Sequence, residues 1–138
     1  MRVLLSLVGS LHSALYRATG GRIGGSMKNA PVLLLTTKGR KTGKMRTTPL
    51  LYGRDGDNLV LVASVGGAPR NPAWYHNLQQ GQKAEVQIGR ERFRVQARVV
   101  EGEERERLWA QMVELWPDYA EYQRKTTRRI PVVVLQPR

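Results

Sequence analysis

Six short apolar runs joined by turn-forming residues constrain this chain more than any other feature of it. They are "VLLLTT" (32–37), "MRTTPLLY" (45–52), "LVLVAS" (59–64), "KAEVQI" (83–88), "ERFRVQARVV" (91–100) and "IPVVVLQP" (130–137). Runs of this length, rich in β-branched residues and bounded by glycine-containing segments, read as strands. The first three follow one another through "KGRKTGK" and the turn "GRDGDN", which predicts a meander, with Pro49 marking an edge position or a bulge. The next two form a hairpin through Gly89-Arg90. Strands that arrive in such pairs argue for an antiparallel sheet and against βαβ winding.

Helical segments separate these groups. Leu4, Leu7, Val8, Leu11, Leu15 and Ala18 recur at helical spacing and predict an amphipathic helix over residues 1–20, followed by a glycine-rich connection (21–31) with no regular element. Asn71 suits an N-cap, Pro72 the first helical position and Gly81 a stop, so a helix is expected over 72–80. "GEERERLWAQMVELW" sets Leu108, Met112 and Leu115 on one face and halts near Pro117, and "DYAEYQRKT" is a further helical piece. The order α-β-β-β-α-β-β-α-α-β predicts an α+β protein. Its six-stranded, mainly antiparallel sheet curls into a small β-barrel with flanking helices, as a single domain over residues 1–138.

Composition narrows the chemistry. The chain has no cysteine, which removes disulfides, thiolate metal sites and cysteine nucleophiles and fits a reducing, cytoplasmic setting. His12 and His76 are its only histidines and stand in no metal-binding spacing, so no metal site is expected. The net charge of +12 is uneven: residues 1–54 hold ten Lys or Arg and no Asp or Glu, while the remaining 84 hold 13 basic and 11 acidic residues. The first part therefore offers a cationic surface to an anion. The apolar run near the N-terminus is broken by Gly9, Ser10 and His12 and is too short to span a membrane. The helix expected there packs on its own domain or, with Arg2, Arg17, Arg22 and Lys28 beside it, makes peripheral contact with the inner face of the cell membrane.

Three constellations carry candidate chemistry. Lys38, Arg40, Lys41, Lys44 and Arg46 crowd one loop with Gly39, Thr42 and Gly43. Such a loop is either a solvated hairpin tip, a nucleic-acid contact or a cradle for a small polyanion. Aromatic residues for stacking bases are nearly absent beside it, and no nucleic-acid-binding signature appears. "ASVGGAPRNPAWYHNL" brings a strand end, a glycine pair and a helix N-terminus together, an arrangement that turns main-chain amides toward a flat ligand or simply turns the chain. Trp116, Tyr119 and Tyr122 recur every three residues, either as core or as the aromatic wall of a substrate pocket.

"TTKGRKTGKMRTTPLLY", "GGAPRNPAWYHNL", "DYAEYQRKT" and "RRIPVVVLQP", in this order, resemble the deazaflavin-dependent nitroreductase and F420H2-dependent quinone reductase family of actinobacteria over roughly residues 30–137. The resemblance implies a split β-barrel of the flavin-binding type and hydride transfer from reduced coenzyme F420 to a quinone, a nitroaromatic or an activated alkene. It implies that Arg40, Lys41, Thr42, Arg46, Thr47, Thr48 and Pro49 line the coenzyme's phosphate and tail. Val62, Ala63, Ser64 and Val65 would run beside its ring, and Ala73, Trp74, Tyr75, His76 and Asn77 would close that side. Tyr119 and Tyr122 match substrate-side tyrosines, and with Ser64 they are the candidates to polarise the acceptor or donate a proton. Some relatives carry lysine in place of Val65 and tyrosine in place of Trp116. The alternatives are a flavin-mononucleotide oxidoreductase of the same barrel type and a non-catalytic nucleic-acid-binding module. The expected partner is a quinone-like small molecule and no nucleic acid.

Overall fold

The computed structural model describes residues 26–27, 30–64 and 67–138. The elements in chain order are β1 (Ser26–Met27), β2 (Ala30–Lys38), β3 (Met45–Leu51), β4 (Gly53–Asp55), β5 (Asn58–Val62), α1 (Ala73–Gly81), β6 (Lys83–Ile88), β7 (Glu91–Val99), α2 (Gly102–Leu115), α3 (Asp118–Arg124) and β8 (Val132–Pro137). All strand pairs are antiparallel, in the order β1-β2-β6-β7-β8-β5-β4, with β3 also paired to β2. The expected helix over residues 1–20 and the candidate Val65 lie outside the described residues.

Side-chain alternation explains how one sheet serves two cores. Leu33, Leu35, Leu59, Leu61, Val133 and Leu135 face a core closed by Trp74, Tyr75 and Leu78 of α1. Their neighbours Val60, Val62, Val132 and Val134 face a second core beneath Leu108 and Met112 of α2 and Tyr119 of α3. β5 and β8 are therefore buried on both faces, which is why they read as unbroken apolar runs while β7 alternates. The curled sheet holds α1 against one surface and α2 and α3 against the other, the layering expected of an α+β fold.

Several expectations shift. Two short strands join the six expected. One is Ser26–Met27, inside the connection expected to be irregular, and the other is Gly53–Asp55, inside the expected turn. The meander is not formed. Among the described residues β3 pairs with β2 alone, whereas β5 takes β4 on one side and β8 on the other. α2 holds β4 in place: Arg107 reaches both Asp55 carboxylate oxygens at 3.0 and 3.2 Å, and Gln111 Nε2 donates to the Arg54 carbonyl at 2.6 Å. Such long-range contacts are invisible to turn propensity. α1 starts one residue later than expected, with Pro72 at the N-cap, and it runs through Gly81 to a left-handed cap at Gln82 (φ 57°). Asn71 does not cap it, because its side chain serves Arg128 instead. Pro49 does sit on a strand with one described neighbour, opposite Leu34.

Candidate active site

The basic loop is the tip of the β2–β3 hairpin. Gly39 N–H donates to the Lys44 carbonyl at 2.7 Å, Gly43 N–H to the Gly39 carbonyl at 2.8 Å, and Lys44 N–H to Thr42 Oγ1 at 3.2 Å. Gly43 adopts φ +73°, a conformation costly for other residues, so glycine is needed to close the tip. Thr42, expected on the coenzyme, spends its hydroxyl at least partly on this turn. Lys38, Arg40, Lys41, Lys44 and Arg46 are all exposed, and none forms a salt bridge to a described acidic residue. Thr47, Thr48 and Pro49 are half-buried further down β3, where Thr47 Oγ1 lies 2.9 Å from Thr36 Oγ1.

A buried amide anchors the tip to the helix. Asn77 of α1 accepts from the Arg40 N–H through Oδ1 at 3.0 Å and donates from Nδ2 to Thr37 Oγ1 at 3.1 Å. Asn77 and Thr37 are both buried, so the pair satisfies polar groups that would be costly if left alone. Its residue mates on α1 divide: Ala73 is exposed, His76 half-buried and edge-on to Tyr75 at 5.6 Å, and Trp74 and Tyr75 belong to the first core. Tyr75 also borders a cavity of about 380 Å³ between α1 and β7 that none of the tip residues lines.

A second joint holds the strand end. Val62, Ala63 and Ser64 are buried where β5 leaves the sheet, and Ala63 N–H donates to the Pro131 carbonyl at 3.0 Å. Gly67 follows at φ +84°, and its N–H donates to the Ser64 carbonyl at 3.0 Å. A Cβ on Gly67 would stand 2.7 Å from the Tyr122 carbonyl oxygen, so the loop lies directly on the α3 backbone. Arg128, between α3 and β8, ties this loop together: it donates to the carbonyls of Ala63, Ser64 and Ala68 and to Asn71 Oδ1. Arg128 was not among the sequence candidates. An arginine ahead of a strand carries no signal of its own, and only the fold shows which carbonyls it meets.

The aromatic stripe divides. Trp116 ends α2, and together with Tyr119 it is buried in the second core. Tyr122 is half-buried, its ring edge-on to Tyr119 at 6.1 Å. Burial pushes the Tyr119 phenol well above the ordinary tyrosine value, with Tyr122 adding to the effect. Tyr119 is therefore a neutral phenol at any physiological pH and cannot act there as a base. The Ser64 hydroxyl, buried with its residue, has no hydrogen-bond partner among the described residues.

The sequence-derived sets are thus linked rather than scattered. The tip is held by Asn77 of α1, and the loop that leads into α1 is held by Arg128 to Ala63 and Ser64 and packed on Tyr122. Among the described residues no three His, Asp, Glu or Cys side chains gather as metal ligands, and no helix is long and apolar enough to cross a membrane.

An antiparallel sheet curled into a half-barrel and flanked by three helices is the architecture of the split-barrel fold. The heme storage protein HutZ of Vibrio cholerae shares the fold, with a TM-score of 0.61 at 16% identity over 78% of this chain and 81% of that one. Residues 9–137 match the family model of the F420H(2)-dependent quinone reductases, and the chain belongs to that family. It is 49% identical over 129 residues to the F420H(2)-dependent quinone reductase Rv1261c of Mycobacterium tuberculosis, covering 91% of this chain and 87% of that protein. A solved F420-H2 dependent reductase, FDR-A, superposes with a TM-score of 0.71 at 44% identity, covering 77% of this chain and 94% of that one. The protein is accordingly an oxidoreductase that uses reduced coenzyme F420.

Proposed function

We propose that this protein binds reduced coenzyme F420 by its anionic phosphate and tail at the β2–β3 tip and reduces a lipophilic, quinone-like acceptor beside Ser64. The observation that carries this reading is the tip itself: five exposed cations without a described acidic partner, fastened through Asn77 to the helix that follows the Ser64 loop. Like charges so close repel one another, and a polyanion relieves that repulsion. Bound there, the reduced deazaflavin supplies a hydride, which accounts for a site without catalytic triad or paired carboxylates.

The chain's own residues then have separable tasks. Arg40, Lys41 and Arg46 hold the negative charges, with Thr42, Thr47, Thr48 and Pro49 lining the same stretch. Val62, Ala63, Ser64 and Val65 flank the ring, and Ala73, Trp74, Tyr75, His76 and Asn77 close its side. Ser64 offers a hydroxyl free of other described partners to the ring or acceptor. Tyr122, half-buried beside the Ser64 loop, stands ready to give a hydrogen bond or a proton to the acceptor oxygen, while neutral Tyr119 supports its ring edge-on. A small-molecule acceptor rather than nucleic acid is the partner on this reading.

Mixing the protein with reduced coenzyme and a short-chain quinone, and following the return of oxidised-coenzyme fluorescence, tests the activity. Turnover that falls at least about tenfold in Tyr122→Phe supports the assignment, in the range expected for a lost proton donor. No turnover with any quinone contradicts it.

A further inference from the structure

Every described hydrogen bond of the Arg128 guanidinium ends on a neutral acceptor within one loop. Nε donates to the Ala68 carbonyl at 2.8 Å, Nη1 to the Ala63 carbonyl at 3.2 Å and to Asn71 Oδ1 at 2.7 Å, and Nη2 to the Ser64 carbonyl at 2.7 Å. These donors lie in a rigid planar fork, so the acceptors that meet them are fixed relative to one another. The arginine is held in turn. Its carbonyl accepts from Gln123 Nε2 at 2.7 Å, its N–H donates to Thr126 Oγ1 at 3.3 Å, and Gln123 Oε1 accepts from Ile130 N–H at 3.0 Å. Arg105, itself buried, donates to the Ile130 carbonyl at 2.8 Å and steadies the same turn.

An arginine in a partly buried place ordinarily pairs with a carboxylate. Among the described residues Arg128 has none, and burial lowers its pKa. Among the described residues, that charge is met by three main-chain oxygens and one amide. A residue used only to join α3 to β8 would not need to gather the Ser64 and Ala63 carbonyls, 64 and 65 positions away in sequence.

We propose that Arg128 is a positioning residue for the reduction: its planar fork fixes the Ala63 and Ser64 carbonyls relative to Ala68 and Asn71, and so places the Ser64 hydroxyl against the deazaflavin ring. Ser64 is the point of leverage. Its carbonyl is held twice, by Arg128 and by Gly67 N–H, while its hydroxyl has no hydrogen-bond partner among the described residues. The fork geometry, not the charge alone, does this, so lysine does not replace it. The inference rests on the coenzyme reading given above.

The test compares Arg128→Lys and Arg128→Gln with Arg129→Gln, an exposed neighbour paired to Glu106, as the control. Coenzyme affinity is read by fluorescence titration, kcat with one fixed quinone, and hydrogen exchange on the coenzyme-free protein. Both Arg128 variants are expected to lose on the order of 10²-fold in kcat, as a misplaced reacting geometry does. Coenzyme Kd changes less than about threefold, because the tip carries most of the binding. Exchange rises across residues 63–71 and stays unchanged in the β6–β7 hairpin. The control keeps kcat within about twofold, as exposed substitutions do. Arg128→Lys with wild-type kcat overturns the proposal, as does unchanged exchange over 63–71. Exchange rising across the whole sheet, with kcat and affinity falling together, overturns it in favour of a merely structural role. If the Arg128 variants do not fold, Asn71→Ala removes one acceptor and is read the same way: kcat falls by an intermediate factor, or the proposal fails. If wild-type protein turns over no quinone, the coenzyme reading fails by itself, and the exchange comparison still decides whether Arg128 sets the loop.

Discussion

The hairpin tip and the Ser64 loop use arginine in opposite ways. At the tip, Arg40 and Arg46 stand in solvent with Lys38, Lys41 and Lys44, and the described residues offer them no acid. At the loop, Arg128 is partly buried and engaged by carbonyls and an amide. The tip can capture an anion at a distance, and its strength falls with salt. The loop is insulated from salt and sets positions to within a hydrogen bond. Capture and placement are thus built from different surroundings of the same side chain, and they should fail independently.

The largest effect that separates the two belongs to the loop. Gly67→Ala forces a side chain into φ +84° and onto the Tyr122 backbone at 2.7 Å, so a stability loss of about 3 kcal/mol is expected in urea denaturation. A loss below about 0.5 kcal/mol, the size of an ordinary surface change, would mean the loop is not fixed on α3. The tip should behave in reverse. Replacing Arg40, Lys41 and Arg46 with Ala is expected to weaken coenzyme binding on the order of 10²-fold while leaving the melting temperature unchanged or slightly higher, since like charges are removed. The variant should also show a shallower dependence of affinity on salt.

Asn77→Ala comes next, because that residue ties the tip to α1, the helix that follows the Ser64 loop. It leaves the buried Thr37 hydroxyl and the Arg40 N–H without the amide, so it should cost about 1–3 kcal/mol of stability and a smaller share of affinity than the triple change. Smallest is the alkaline response. Because Tyr119 titrates higher when folded than its ordinary value of 10.0, its contribution is complete below that pH and is lost as pH rises toward the folded value. Thermal melts should therefore fall above about pH 10, and Tyr119→Phe should fall less steeply.

Much of this frame was legible in the chain. The β6–β7 hairpin and α2 followed from alternation and helical spacing, because their determinants are local. β4 is not legible because three residues carry too little pattern, and its ties are a pairing with β5 and side-chain contacts from Arg107 and Gln111 of α2. The meander failed for a related reason: β5 chooses β8, some 70 residues later, since both bury two faces. Asn71 looked like a cap by propensity, yet Arg128 claims its oxygen. At the site, residue types announced the tip cations, and the family resemblance supplied the ring-side set. Arg128 and Thr37 required coordinates, since neither motif nor spacing says which distant polar group will be buried beside them.

Whether the cationic tip holds the coenzyme's tail is decided by a fluorescence titration of the protein with coenzyme F420 and, separately, with flavin mononucleotide, each at low and high salt. Tight, salt-sensitive binding of coenzyme F420 is expected, with much weaker binding of flavin mononucleotide, which lacks the anionic tail the tip would hold. Equal affinity for the two, or coenzyme binding indifferent to salt, would contradict it.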